Sequence, residues 1–252
     1  MSEPDLPAGQ NNQERVPLLL VLDTSSSMAR PEQSPRIGEL EDALRRLVGY
    51  MREQPGVRSR MELALITFDS AVEVRRGLGS SASSSGDDAF TPVWDIRIPP
   101  LTTGGWSLLL PAVRQAVELA RRRRETLQGQ SVPCHRPIIL VLTDGAPTDE
   151  SGTVQGPTQC ARLAAELRAA ERARDCILFV VGVGDADEEL LRILAPNTTY
   201  MLDTFDFGTI VQLVARSVVA VRADTSVEDL VGSVRESTSL RDKLKQLEET
   251  LS

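Results

Sequence analysis

The feature that most constrains this chain is a set of short aliphatic runs that stop abruptly at oxygen-bearing or glycine residues. Val16–Leu22 (VPLLLVL) breaks off at Asp23-Thr24-Ser25-Ser26-Ser27, Pro137–Thr143 (PIILVLT) at Asp144-Gly145, and Cys176–Val183 (CILFVVGV) at Gly184-Asp185. A run with no polar alternation offers no face to water, so each reads as a strand covered on both sides; the runs are too short for buried helices. Met61–Phe68 is a further strand, with Val72–Arg75 returning along it as a hairpin, and Val93–Ile98 and Thr199–Leu202 read as shorter strands.

Between these runs the periodicity becomes helical. Ile37, Leu40, Leu44, Leu47 and Met51 share one face of a helix over 37–51. Leu108–Arg123, Thr158–Arg174, Glu188–Leu194 and Phe207–Val221 are read as further helices, the first ending in Arg121–Arg124, which complement the negative end of its dipole. Strands and helices alternate, which predicts an α/β fold: a doubly wound, mostly parallel sheet with helices on both faces and one antiparallel edge strand. Residues 1–14 are polar and read as a disordered N-terminal segment, residues 15–222 as the folded domain, and 223–252 as an acidic linker with a C-terminal amphipathic helix. In that helix Leu240, Leu244, Leu247 and Leu251 form a short apolar seam, which either folds back on the domain or docks a partner. Gly79–Asp88, rich in Ser and Gly, reads as a mobile loop.

Composition removes several classes of function. The net charge of −8 disfavours a general nucleic-acid binder or docking on an anionic membrane, since both need a basic face. Lysine occurs only at Lys243 and Lys245, so no phosphate-binding loop with its lysine can form in the body of the chain. His135 is the only histidine, which excludes paired-histidine zinc motifs, and no GxSxG elbow supplies a serine nucleophile. Cys134, Cys160 and Cys176 are odd in number and lack CxxC spacing, as expected of buried thiols in a reducing compartment. The N-terminal residues carry no apolar leader and no run approaches a membrane span, so the expected setting is cytoplasmic.

In an open parallel sheet, ligands gather beyond the carboxyl ends of the strands, where strand order reverses. Three oxygen-rich segments fall in such places: Asp23–Ser27, Thr102–Ser107 and Thr143–Gly145. Serine hydroxyls and carboxylates are hard donors that suit Mg²⁺, Mn²⁺ or Ca²⁺. A DxSxS spacing turns residues i, i+2 and i+4 to one side of a tight loop. With only two carboxylates nearby, a bound ion keeps residual positive charge and an open position, which an acidic side chain of another protein can fill. Asp69 and Asp149 are further acids near the rim. Helix capping is the structural alternative for Asp23 and Ser25.

LLLVLDTSSSM and IILVLTDGAPTD resemble the two signatures of von Willebrand factor A domains, and the resemblance spans about residues 15–221. It implies a metal-ion-dependent adhesion site made of DxSxS together with a threonine and an aspartate from two other loops. Asp23, Ser25, Ser27 and Asp144 match residue for residue. The resemblance implies that the serines coordinate directly and one or both aspartates through water. The threonine position departs from the family: Trp106 follows Gly104-Gly105, and Ser107 comes next. The register set by Ala112-Val113 gives the ligand position to Ser107; if Trp106 holds it instead, a ligand is lost, with Thr102 and Thr103 as fallback donors. RPIILVLTDGAPTDE and LITFDSAVEV further resemble the bacterial TerY group of tellurite-resistance and stress proteins, which implies kinase- or phosphatase-like partners.

The expected function is therefore cation-dependent capture of a partner's Asp or Glu carboxylate, without catalysis. Two rivals are a scaffold whose metal site is degenerate and a Mg²⁺-dependent phosphatase. The phosphatase needs a second acid two residues after Asp23 and a lysine, and Ser25 stands at that place. Gly182-Val183-Gly184 resembles part of a dinucleotide loop, but Asp187 stands where the last glycine belongs. Arg121–Arg124 and His135 are read as surface or structural residues.

Overall fold

The computed structural model describes residues 13–79 and 89–204. In chain order they form β1 (Val16–Asp23), α1 (Arg36–Glu53), α2 (Pro55–Arg58), β2 (Met61–Phe68), β3 (Val72–Arg75) and β4 (Thr91–Pro92), then α3 (Leu109–Gly129), β5 (Ile138–Thr143), α4 (Pro157–Arg172), β6 (Ile177–Val183), α5 (Glu188–Leu194) and β7 (Thr199–Leu202). A 3-10 turn, Ser26–Ala29, follows β1 and is anchored by the fully buried Met28.

The sheet runs β3-β2-β1-β5-β6-β7. β1 pairs in parallel with both β2 and β5, and β6 and β7 extend the parallel order outward. β3 lies antiparallel along Leu65–Phe68 of β2, and the two-residue β4 pairs antiparallel with Glu62 and Leu63. Every residue of β1, β2, β5 and β6 is buried, which is why these runs carry no alternation.

Two apolar layers hold the sheet. Leu18, Leu20 and Leu22 face α1 through Leu40, Leu44, Leu47 and Met51. Leu19 and Val21 face the opposite way, toward Leu109, Val113 and Ala116 of α3, Leu163 and Leu167 of α4, and Leu190 and Leu191 of α5. Each buried aliphatic side chain contributes roughly 1.5–3 kcal/mol, so these layers, rather than loop hydrogen bonds, fix the rim on which the polar residues sit. The doubly wound mixed sheet expected from the sequence is the fold observed.

Two local expectations are corrected. Val93–Ile98 is not a strand. The carbonyl of Pro92 accepts the N–H groups of both Asp95 and Ile96, closing a turn that buries Val93 and Ile96 on the same apolar layer; Ile96 then makes a single bridge to Gly79. Arg52 pins that turn through the carbonyls of Val93 and Ile96. The arginine run does not end its helix either. α3 continues to Gly129 because Leu127 still packs inward, and the arginines form ion pairs: Arg121 and Arg122 with Glu118, Arg123 with Glu62, and Arg124 with Asp175.

The predicted helix over 207–221, the acidic C-terminal segment with its leucine seam, residues 1–12 and the loop over 80–88 lie outside the described residues. Among the described residues no helix is long and apolar enough to cross a membrane.

Candidate metal centre

β1 and β5 are neighbours, but the chain leaves them in opposite directions, β1 through α1 to β2 and β5 through α4 to β6. A crevice must open between their carboxyl ends. Asp23 is the last residue of β1 and Asp144 the first after β5.

Backbone hydrogen bonds stitch the surrounding loops together. Thr24 donates its N–H and its hydroxyl to the Phe68 carbonyl, at 2.8 and 3.1 Å. Ser26 donates to the Gly105 carbonyl (3.2 Å) and Gly104 to the Thr24 carbonyl (2.9 Å). Gly105 has φ +64°, and a Cβ there would come within 2.2 Å of the Ser70 hydroxyl, so only glycine fits. The Trp106 N–H donates to that same hydroxyl at 3.0 Å. This turn leaves Trp106 exposed and Ser107 buried against Asp23. Ser107 is held in turn by Thr148, whose hydroxyl accepts the Ser107 N–H (2.9 Å) and whose N–H donates to the Ser107 carbonyl (2.8 Å).

The side chains of all five predicted residues meet in this crevice. Asp23 Oδ1 accepts the Ser25 N–H at 2.8 Å; Oδ2 accepts the hydroxyls of Ser107 at 3.0 Å and Thr143 at 2.5 Å. Ser25 Oγ and Ser27 Oγ lie 3.0 Å apart, and Ser27 Oγ donates to Asp144 Oδ1 at 2.5 Å across 117 residues of chain. The Ser25 side chain makes no capping bond to the 3-10 turn that it precedes, so capping does not account for it.

Asp23 is fully buried, and its partners among the described residues are neutral donors. Burial pushes its carboxyl up to about 6; the hydrogen bonds from Ser25 and Thr143 pull it down, and the charge of Asp144 adds to the rise. A buried acid with no cation of its own is a site that an external cation can complete.

The donor set fits a hard divalent ion. Cis oxygens around Mg²⁺ are separated by about 3.0 Å, given ligand distances near 2.1 Å, and the Ser25–Ser27 and Ser107–Asp23 oxygens already lie at 3.0 Å. No group of three or more His, Cys, Asp or Glu gathers anywhere among the described residues. A soft-metal or carboxylate-rich centre therefore has no ligands there, whereas hydroxyl and carboxylate donors together remain.

The other candidates have local roles. Asp69 Oδ1 accepts the Ala71 N–H, and Asp149 Oδ1 accepts the N–H groups of Ser151 and Thr153 and the Ser151 hydroxyl; both acids shape their own turns. Thr102 is exposed and Thr103 half-buried, and neither is among the hydroxyls bonded to Asp23. His135 is buried and meets Glu14 at 2.7 Å, tying the start of β1 to the bottom of the sheet. Gly182 and Gly184 are explained by packing: a Cβ on Gly182 would collide with Met201 and Leu191, and one on Gly184, at φ +60°, with the Arg36 guanidinium.

Three residues of the site are not among the five predicted ligands. Thr143 lies in one of the three oxygen-rich segments, and Thr148 follows in the same TDGAPTD stretch and could have been found there. Arg36 could not. It begins α1, donates to Asp144 Oδ2 and Asp185 Oδ2 at 3.0 Å each, and joins positions 108 and 149 residues away.

Comparison with known proteins bears on the fold. A search of curated proteins finds no match. Among solved structures, the pilus adhesin SpaC from Lactobacillus rhamnosus GG is similar at 14% identity and a TM-score of 0.58, covering 84% of this chain and 31% of that one. The PilB minor pilin from Streptococcus sanguinis is similar at 13% identity and a TM-score of 0.50, covering 83% and 63%. Proximal thread matrix protein 1 from the mussel byssus, in a form with a zinc-occupied MIDAS motif (the metal-ion-dependent adhesion site), is similar at 19% identity and a TM-score of 0.47, covering 81% and 46%. The chain thus spans less than two thirds of the length of each, and at these identities the likeness is one of fold. The sequence profile of the von Willebrand factor type A domain matches residues 18–216. With both signature loops converging at the switch point of a sheet wound in this order, the chain belongs to the von Willebrand factor type A domain family.

Proposed function

We propose that this chain is a divalent-cation-dependent protein-binding module in which Asp23, Ser25, Ser27, Ser107 and Asp144 hold Mg²⁺, Mn²⁺ or Ca²⁺. The observation that carries this reading is Ser27 Oγ, which lies within hydrogen-bond reach of both Ser25 Oγ and Asp144 Oδ1 and so joins the two signature loops at one point. Domains of this family typically bind proteins through such sites, usually without catalysis. When bound, the ion supplies a Lewis-acidic position for a carboxylate oxygen of a partner's Asp or Glu. The chain's own part is to orient donors and limit charge. Ser107 and Thr143 hold the Asp23 carboxylate in place, and Arg36 offsets the charge of Asp144. The two charges of the ion are met by Asp23 and Asp144, and Arg36, shared between Asp144 and Asp185, keeps the loaded cluster from turning net negative.

The resemblance of the β5 segment to the TerY group supports a setting in a bacterial stress or tellurite-resistance system, with kinase- or phosphatase-like partners. Three cysteines without paired spacing support a cytoplasmic location. Co-purification of the tagged chain with and without EDTA, comparing wild type with Asp144→Ala, tests both the metal dependence and the partner class. Partners that persist in EDTA would refute the reading. A second reading is favoured by Arg36: its guanidinium already gives Asp144 a cation from within the chain, as a scaffold with a degenerate site would. Calorimetric titration separates the two. Heat on adding Mg²⁺ or Mn²⁺ supports the module, and its absence supports the scaffold.

A further inference from the structure

Four large hydrophobic side chains stand exposed among the described residues: Tyr50, Trp94, Trp106 and Val154, the last two at 49% and 58%. Trp106 and Val154 both belong to the loops that wall the candidate centre. Trp106 precedes Ser107 directly. Val154 bridges back to Thr148, the residue that grips Ser107 through its hydroxyl and its N–H.

Trp106 is exposed yet firmly mounted. Its N–H is bonded to Ser70, and its ring lies on Gly152, where a Cβ would come within 2.7 Å of the indole. Gly152 has φ +81°, so both its conformation and its missing side chain serve this contact. The turn beneath is braced by Asp149, whose Oδ1 takes three hydrogen bonds from Ser151 and Thr153 and whose carbonyl accepts the Gly152 N–H. With that carboxylate engaged locally, the exposed ring on Gly152 and the exposed Val154 two residues further along the same loop offer apolar surface rather than a seat for a cation. A rigid, half-exposed tryptophan loses little entropy on contact, and such residues dominate binding energy at protein interfaces.

We propose that Trp106 and Val154 form an apolar shelf that reads the residue beside the partner's acid: the partner presents an Asp or Glu flanked by a bulky apolar side chain, the acid going to the ion and its neighbour to the shelf. This rests on the metal-dependent reading above. It also gives a role to the tryptophan that follows Gly104-Gly105: Ser107 supplies the hydroxyl, and the preceding position supplies the shelf.

The test uses the full chain and an array of synthetic peptides, each with one Glu in a Gly-Ser background and Leu, Phe, Ser or Arg beside it, probed in Mn²⁺ and in EDTA. Leu and Phe peptides are expected to be retained about tenfold better than Ser or Arg peptides in Mn²⁺. Trp106→Ala should lose that discrimination and Trp106→Phe should keep it. In Trp94→Phe, which leaves Trp106 as the sole tryptophan, the emission should shift to shorter wavelength when the Leu peptide binds. Equal retention of Leu, Ser and Arg peptides, or an unchanged preference in Trp106→Ala, would overturn the shelf while leaving the metal site standing. Loss of Mn²⁺ binding in Trp106→Ala would overturn it too, by making the ring part of the site's framework. Failure of every Glu peptide to bind in a Mn²⁺-dependent way would instead remove the metal-dependent reading, and the shelf with it.

Discussion

Asp23 and Glu62 are both buried carboxylates of central strands, at opposite ends of the sheet, and the chain treats them in opposite ways. Glu62, near the amino end of β2, is clamped by Arg123, with Nε to Oε1 at 2.6 Å and a second guanidinium nitrogen to Oε2 at 2.5 Å; the same guanidinium lies 5.2 Å from the centre of the Phe90 ring. Asp23, at the carboxyl end of β1, receives only neutral N–H and O–H groups. A buried charge closed by an internal cation is structural, whereas one left to neutral donors at a strand switch point is set up for a cation from outside. Asp144 lies between these cases, sharing one oxygen with Ser27 and the other with Arg36.

The contrast can be broken most directly at its closed end. Removing the guanidinium by Arg123→Ala strands the Glu62 charge in the core, and the loss of stability in chemical unfolding should be about 3–5 kcal/mol. Metal titration of whatever remains folded should be nearly unchanged, since Arg123 lies at the far end of the sheet. At the open end the pattern reverses. Asp23→Ala should weaken Mn²⁺ binding by at least about a hundredfold, close to 3 kcal/mol, while the protein still unfolds cooperatively, because relief of a buried unpaired charge offsets the lost hydrogen bonds. Loss of cooperative unfolding in that variant would mean that Asp23 is as structural as Glu62.

The titration of Asp23 sharpens the comparison further. Its folded value, about 6, lies above its ordinary value of 3.8, so the folded chain holds this proton more tightly than the unfolded chain does. The stabilising contribution is therefore complete below the unfolded value and is lost as pH rises through about 6. At roughly 1.4 kcal/mol per unit, the stability of metal-free wild type relative to Asp23→Asn should fall by about 2–3 kcal/mol between pH 4 and 7. Metal affinity should run the other way, weakening as pH drops below about 6, because the ion needs the carboxylate. A flat difference between the two proteins would show that Asp23 titrates normally.

The smallest effect belongs to Arg36, which is mostly buried but bonded to the exposed Asp185. Arg36→Met should cost about 2 kcal/mol of stability, less than Arg123→Ala because Ser27 still donates to Asp144, and tighten Mg²⁺ binding, since a like charge beside the ion is removed. Weaker binding in calorimetry would make Arg36 a residue that positions Asp144 rather than one that opposes the ion.

What could be read from the sequence follows from how local each signal is. β1, β5 and β6 announce themselves because a strand buried on both faces leaves no other pattern, and DxSxS and TDG mark where two of those strands end. The Ser107 position could be proposed from register, but its inward turn depends on Gly105 and Ser70, a contact between residues 35 apart that no linear pattern displays. β4 is two residues long and contains a proline, too little for periodicity to register. The end of α3 lies beyond its arginine run because Leu127 continues the apolar stripe past residues whose charge alone resembles a terminal signal. Arg36 is the clearest case. Its two acids come from the ends of β5 and β6, and only the folded sheet brings them beside the start of α1.

The joining of positions 23–27, 107 and 144 through side chains also determines how the protein comes apart. No fragment that has opened any one of these three loops retains the crevice, so a bound ion favours the intact native state over every partly opened form. It therefore adds its whole binding free energy, RT ln(1 + [L]/Kd), to the stability of the rim. Amide exchange in β1 and β5 should slow together and by equal increments as the ion concentration rises, while the exposed end of α4 responds far less. The rim would then act as a clasp whose tension is set by the surrounding electrolyte.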